Sequence, residues 1–345
     1  MSTVLAEPAE AREPAELRGH GRDDVRLLVA HRGGLVSHAH FSELPELLAP
    51  GDLLAINTSA TLPAAIPVRG DQADLRLHLS SPAPNRDPGG ERGSRGGAWH
   101  VELRLGGERF GGGAEGDVLL LPGGGMAVLL ERDAGGRLWL ATLQLPAAVP
   151  HYLARHGEPI RYAHAAQAWP LERYQTVYPN APGSAEMPSA GRAFTPELVT
   201  QLVAAGIDVA PLVLHTGVSS LEAGEQPHAE WFRVPPSTAA RINLARELGG
   251  RVIAVGTTAV RALESAVDGD ERVGERQGWT DLVIEPHSPI RAVDGLLSGF
   301  HDRDSSHLAM LEAIGGAGLL ERSYEEAAEA GYLRHEFGDL HLILR

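Results

Sequence analysis

Two periodicities divide this chain, and their order limits the fold more than any single motif does. Between residues 66 and 148 apolar side chains recur at every second position. On either side of that block, short apolar runs alternate with stretches of helical spacing. "LRLHLSS" and "AWHVELRLG" set the pattern of the middle block, with Trp99, Val101, Leu103 and Leu105 on one face. "MAVLLERDAGGRLWLATLQL" reads as a hairpin that turns between Asp133 and Gly136. Short strands at this spacing point to a small β-barrel or curled sheet. "PAPNRDPGGERGSRGG" reads as a solvated loop between the early strands.

The flanks carry strand and helix signals in alternation. "VRLLVAHR", "LVSHAHF" and "LLAIN" read as strands, with a short helix capped by Ser42 before the Pro50-Gly51 turn. "FTPELVTQLVAAGI" has Thr195 as N-cap and Pro196 in its first turn, and it stops at Gly206. "APLVLHTG" and "RVIAVG" read as buried strands, and "TTAVRALESAVDG" begins a helix at once after the second. Ser323 and Glu326 have the spacing of a capping box for a last helix, and "LHLIL" is a closing strand. The fold class expected is an α/β main domain, a layered α/β sheet, with an inserted small all-β barrel domain. Residues 25–61 and 151–345 form the main domain, 62–150 the barrel, and 1–24 a flexible N-terminal arm.

Composition matters for what it excludes. The 345 residues contain no cysteine, so disulfides, thiolate nucleophiles and Cys-bound zinc are ruled out. All 30 basic residues are arginine, which excludes a Schiff-base lysine and the lysine of a phosphate loop. A net charge of −15 argues against a generally basic nucleic-acid surface, though not against a local arginine patch. No apolar run is long enough to span a membrane, and the opening segment reads as a poorly ordered arm rather than a leader. A cytoplasmic protein without a membrane partner is expected.

Four segments bring polar residues to strand ends or helix starts, where open α/β sheets bind ligands: "EMPSAGRAFT", "LHTGVSS", "VGTTAVR" and "GFHDRDSSH". Each has a plainer reading. Thr195, Thr258 and Ser306 are good helix caps. His215 ends a strand beside a glycine, as many structural histidines do, and Arg261 reads equally as a solvated charge. His301, Asp302, Asp304 and His307 can be drawn as a metal cluster, but acidic residues near a helix start are ordinary. His38 and His40 share a strand face without a third ligand nearby. No metal is expected.

At these same segments the chain resembles the S-adenosylmethionine:tRNA ribosyltransferase-isomerase family of queuosine biosynthesis. "RVIAVGTTAVRALES" is the most specific match; "YQTVYPNAPGSAEMPSAGRAFTPELVTQLVAAGIDV", "PLVLHTGVSS", "HAEWFRV", "VDGLLSGFHDRDSSHLAMLEAI" and "PGDLLAINTSATLPA" follow the family in the same order. The resemblance implies that S-adenosylmethionine is a ribosyl donor and the substrate cofactor. The sulfonium acidifies the ribose 5′ carbon, a base removes that proton, and adenine and methionine leave. An epoxycyclopentanediol is thereby built on the aminomethyl group of a 7-deazaguanine in tRNA. By motif position, His215 is the expected base, with Glu230 or His228 as partner. Tyr178, Pro188, Ala190, Gly191, Phe194, Thr195, Gly217, Gly256, Thr257, Thr258, Arg261, Phe300 and His301 are the expected substrate-binding residues.

The departures bear on the partner. Where the family reads Asn-Asp-Thr-Arg-Val-Ile-Pro-Ala-Arg, this chain has Ala60 and Ala65 in place of two arginines, and Thr58 in place of the acid. The tRNA anticodon loop is the acceptor the resemblance implies. The lost arginines leave open a diverged relative that processes S-adenosylmethionine with a small-molecule acceptor, or a catalytically silent binding protein. Arg192, Arg233, Arg261, Arg291 and Arg303 are the candidates for a compensating basic rim.

Overall fold

The computed structural model describes residues 7–345 except 20, 84–95, 134, 162–166, 219–227 and 303–304, and the side chain of Ser306 is likewise outside the description. Most of the Gly/Pro-rich loop, together with Ser219, Ser220, Leu221, Arg303 and Asp304, therefore falls outside the described residues.

The fold is mixed α/β. A nine-stranded sheet runs in the order Arg276–Thr280, Glu230–Val234, Asp208–Leu214, Leu53–Asn57, Val252–Val255, Gly295–Gly299, Leu340–Leu344, Arg26–His31, Val36–His40. Four central neighbours, Asp208–Leu214, Leu53–Asn57, Val252–Val255 and Gly295–Gly299, are mutually parallel. Their carboxyl ends therefore meet along one edge. These strands are continuous apolar runs because both faces are covered. Leu53 and Ala55 face one layer with the helices Pro236–Glu247, Thr257–Glu264, Ser306–Gly315 and Ala317–Glu329. Leu54 and Ile56 face the other, with the helix Pro196–Ala204 and Phe41.

The period-two block forms a second, antiparallel sheet in the order Val118–Leu120, Met126–Arg132, Leu138–Gln144, Gly96–Leu105, Leu75–Pro82, Ala65–Pro67. Trp99, Val101 and Leu103 point into its apolar core with Leu77, Leu79, Leu129 and Trp139, whereas Leu105 sits at the exposed strand end.

Several local expectations are corrected. The segment expected as a loose arm is packed over its described part. Ala9–Glu10 pairs with Leu333–Arg334, and Glu16 receives two bonds from buried Arg192. Those bonds offset the cost of burial and hold the Glu16 carboxyl down at about 2. Ser323 lies inside the helix Ala317–Glu329, which starts after Gly316 (φ 85°), so its hydroxyl donates to Leu319 O rather than capping. Ser42 sits within a short 3₁₀ turn whose capping box is made by His40 and Glu43. Thr195 does cap its helix, accepting from Leu198 N.

Candidate active site

The strand Val252–Val255 delivers its chain to Gly256, whose φ of +88° lies in the left-handed region open to glycine. The helix Thr257–Glu264 starts on the next residue. Gly256 thus occupies the cap position expected for Thr258, and the Thr258 hydroxyl instead accepts from Asn57 Nδ2 at 3.1 Å. Asn57 ties the neighbouring strand ends together. Its Nδ2 also donates to Leu214 O at 2.8 Å, and its Oδ1 accepts from Leu214 N at 3.0 Å and Ser59 N at 3.1 Å.

The next strand end carries His215, Thr216, Gly217 and Val218. Glu230 Oε1 accepts from Gly217 N at 2.7 Å, and its other oxygen is ion-paired with Arg261. Arg261 Nε donates to Leu282 O at 2.9 Å, and both side chains of the pair are only 13% exposed. Arg261 is therefore an oriented, neutralised cation and not a solvated charge. His228 stands two residues before Glu230, with Nε2 3.4 Å from Asp133 Oδ2 and its ring 4.3 Å from that of His100. Burial, and then the charge of His228, push the His100 imidazole down to about 4.

The antiparallel sheet supplies the opposing wall. A β-bulge falls between Leu79 and Ser81, and both Ser80 and Ser81 reach the cleft. Ser80 Oγ accepts from Val218 N at 2.9 Å, and a Cβ on Gly217 would stand 2.6 Å from that oxygen. Only glycine allows this approach without displacing the serine.

These elements surround a cleft with about 770 Å³ of empty space, part of it open to solvent. Of the residues singled out from sequence, Gly217, His228, Glu230, Thr257, Thr258 and Arg261 line it. Ser80, Ser81, Thr216, Val218, Leu282, Val283, Ile284, His307 and Met310 complete the lining. His307 was singled out only as a possible metal ligand. Burial, followed by the Arg261 charge, pushes its imidazole down to about 4, so it is neutral at pH 7. Its ring lies 4.5 Å from that of His301, whose Nε2 is 2.9 Å from Ser298 Oγ.

The other expected residues are placed elsewhere. His215 is 6% exposed behind the cleft, with Nδ1 2.6 Å from Ser59 Oγ and its ring stacked on Trp231 at 5.5 Å. Phe194 is buried beneath the sheet, edge-on to Phe41 at 5.0 Å, and Thr195 is occupied as a cap. Tyr178 packs on Phe194 and donates to Gly191 O at 3.5 Å, and burial raises its phenol well above the ordinary value. Pro188, Ala190 and Gly191 form a 3₁₀ turn, and Ala190 backs Gly256 at 3.4 Å from where its Cβ would stand. Phe300 is stacked on His341 at 5.4 Å, and His301 is held behind His307. Phe194, Thr195 and Phe300 thus support the strand ends without reaching the cleft. The expected basic rim is also thinned, because Arg192 is buried on Glu16 and Arg261 is bound to Glu230.

The chain matches known proteins over almost its whole length. The family model described as queuosine biosynthesis protein covers residues 4–343. An S-adenosylmethionine:tRNA ribosyltransferase-isomerase of Symbiobacterium thermophilum is 36% identical over 94% of each chain. The protein of the same name from Moorella thermoacetica is 36% identical over 97% of this chain and 96% of its own. The crystal structure of the S-adenosylmethionine tRNA ribosyltransferase of Thermotoga maritima superposes with a TM-score of 0.54 at 29% identity, over 99% of both chains. With the model matched from end to end and relatives above 30% identity over nearly their full length, the chain belongs to the queuosine biosynthesis protein family.

Proposed function

We propose that this protein transfers and isomerises the ribosyl group of S-adenosylmethionine onto the 7-aminomethyl-7-deazaguanine of tRNA, forming epoxyqueuosine and releasing adenine and methionine. The observation that carries this reading is the near full-length likeness to ribosyltransferase-isomerases of that name. The likeness spans both flanks and the middle block, which favours tRNA over a small-molecule acceptor. No metal enters the reading, and a tRNA substrate supports a cytoplasmic location. Among the described residues no helix is long and apolar enough to cross a membrane.

The cleft suits this chemistry. The first N–H groups of the helix at Thr257 lack intrahelical acceptors and face a site free of phosphate demands, so they suit the methionine carboxylate. Leu282, Val283, Ile284 and Met310 offer apolar surface for a purine or deazapurine face. Neutral His307 and the paired Arg261 add no net positive charge beside a sulfonium. Glu230 and His228 are the groups at the cleft suited to proton transfer, with Asp133 behind His228. Gly217, Thr257, Thr258 and Arg261 are the binding residues of this reading, and Tyr178, Pro188, Ala190, Gly191, Gly256, Phe300 and His301 shape them from behind.

We read the antiparallel sheet as an inserted barrel domain spanning about 62–150. The Arg69–Leu120 bridge, which joins the two ends of the strand order, supports closure. The remaining basic residues toward tRNA are then exposed arginines such as Arg233 and Arg291.

The test is incubation with S-adenosylmethionine, following adenine and methionine with and without tRNA carrying the aminomethyl base. Release that requires the tRNA, with mass added to its base, is expected. Release without tRNA would overturn the assignment of the acceptor.

A further inference from the structure

Behind the cleft, three side chains form a buried chain of short contacts. Ser184 Oγ is 2.6 Å from Ser59 Oγ, which is 2.6 Å from His215 Nδ1. Ser184 Oγ also accepts from Thr216 N at 3.1 Å. Ser184 is fully buried and Ser59 is 1% exposed, so neither hydroxyl has water to turn to. A hydroxyl carries one hydrogen, and leaving it unpaired in such a place is costly.

Counting hydrogens fixes the direction. Ser184 already receives the Thr216 N–H, and among the described residues Ser59 Oγ is the acceptor within reach of its own hydrogen. Ser184 therefore donates to Ser59, and Ser59 donates onward to His215 Nδ1. That nitrogen must then be unprotonated, and the proton of the neutral imidazole sits on Nε2. The reverse direction, with Nδ1–H donating to Ser59 and Ser59 to Ser184, strands the Ser184 hydrogen. The ring is clamped in this pose. Trp231 stacks against it at an interplanar angle of 17°, and Gly183 lies so close that a Cβ there would stand 2.5 Å from Nδ1.

We propose that Ser184 and Ser59 are positioning residues that lock His215 as the Nε2–H tautomer, so that in turnover His215 is a hydrogen-bond donor and not the base. The part concerning turnover rests on the proposed ribosyl transfer, whereas the tautomer does not. Proton abstraction then falls to a group that lines the cleft, where Glu230 and His228 stand.

The experiment has two arms on the full chain. In the first, the protein is labelled with ¹⁵N-histidine and the His215 signals are assigned by their loss in His215→Gln. The wild type at pH 7 should show an unprotonated Nδ1 and a protonated Nε2. Ser59→Ala should move the signals toward a mixture of tautomers, and Ser59→Thr, which keeps the hydroxyl, should not. A protonated Nδ1 in the wild type, or identical spectra for the Ala and Thr variants, would overturn the lock. In the second arm, kcat is compared for His215→Gln and His215→Leu, after circular dichroism has confirmed that each is folded. The Gln amide supplies an N–H donor but no base, so it should retain at least about tenfold more activity than Leu. Equal loss in both would overturn the donor role. If the wild type itself releases no adenine with tRNA, the reading of function fails while the spectra still decide the tautomer.

Discussion

The two walls of the cleft hold polar groups in opposite ways. On the parallel-sheet side every polar atom of the Asn57 amide is used, and Ser59, Ser184 and His215 pass hydrogens in one chain. On the antiparallel side, Ser81 Oγ and His78 Nδ1 are buried without a hydrogen-bond partner among the described residues. Glu102 there is fully buried with Arg104 2.9 Å away, yet neither carboxylate oxygen is met in hydrogen-bonding geometry. The pair is a short-range Coulombic contact. One wall is held by a closed set of directed bonds. The other is held mainly by its sheet and its bulge, with Ser80 and Arg137 reaching across to the Val218 backbone. The walls should therefore respond unequally to substitution.

The largest effect is expected from acid, where both walls contribute. Burial pushes His78 of the antiparallel wall and His341 of the main sheet down to about 3, from an ordinary value near 6.5. Above pH 6.5 both are neutral, folded or unfolded, and stability is indifferent to pH on their account. Below 6.5 the unfolded chain binds protons that the folded chain refuses, so stability falls. The loss is about 1.4 kcal/mol per pH unit for each, or about 3 for the two together. Thermal melts between pH 7 and 5 should show a slope steeper than this, because His100, His301 and His307 are held down by burial in the same way. His78→Phe and His341→Phe should each remove about 1.4 kcal/mol per pH unit of it. A flat profile would mean that neither site is dry enough to keep its imidazole neutral.

Next in size is Asn57→Ala. It leaves Leu214 N–H and C=O and Ser59 N–H without their partner, at about 3 kcal/mol in urea unfolding. A loss below about 1 kcal/mol would show that the wall does not depend on this amide. The smallest effect should come from the other wall. Ser81→Ala removes a hydroxyl that has no partner and should change stability by less than about 0.5 kcal/mol. Ser80→Ala, one residue away, frees the Val218 N–H and should cost about 1 kcal/mol. Equal values at 80 and 81 would show that the bond from Val218 N to Ser80 contributes nothing to this wall.

The same contrast explains what could be read from sequence. The parallel-sheet side was legible because its signals are local. A buried run ends at Gly256 and a helix follows, and Thr195 precedes Pro196 and an apolar repeat. Ser80 and Ser81 were not legible. In a period-two strand they should alternate, and the bulge that brings both to the cleft is a property of strand pairing. His307 reached the cleft through the packing of its helix, which no spacing reveals. Arg261, an expected binding residue, carried a second reading as a solvated charge because its partner Glu230 lies on a strand 31 residues away. Ser323 and Glu326 misled because the capping-box spacing also occurs inside helices, where the serine bonds back to the previous turn.

The large sheet also has a history built into its strand order. Arg26–His31 lies between Val36–His40 and Leu340–Leu344, and Arg26 N donates to Asp339 across a separation of 313 residues. During synthesis that strand has only its hairpin partner on one side, and its other edge stays open until the Leu340–Leu344 segment leaves the ribosome. Long-range pairing of this kind is slow, and an apolar strand with a free edge is the surface on which chains aggregate. The antiparallel sheet is drawn from about eighty consecutive residues and can form long before. The nascent protein is thus expected to pass through a stage in which the smaller sheet is finished and the larger is still open, so its yield in cells should depend on chaperone supply more than its final stability suggests.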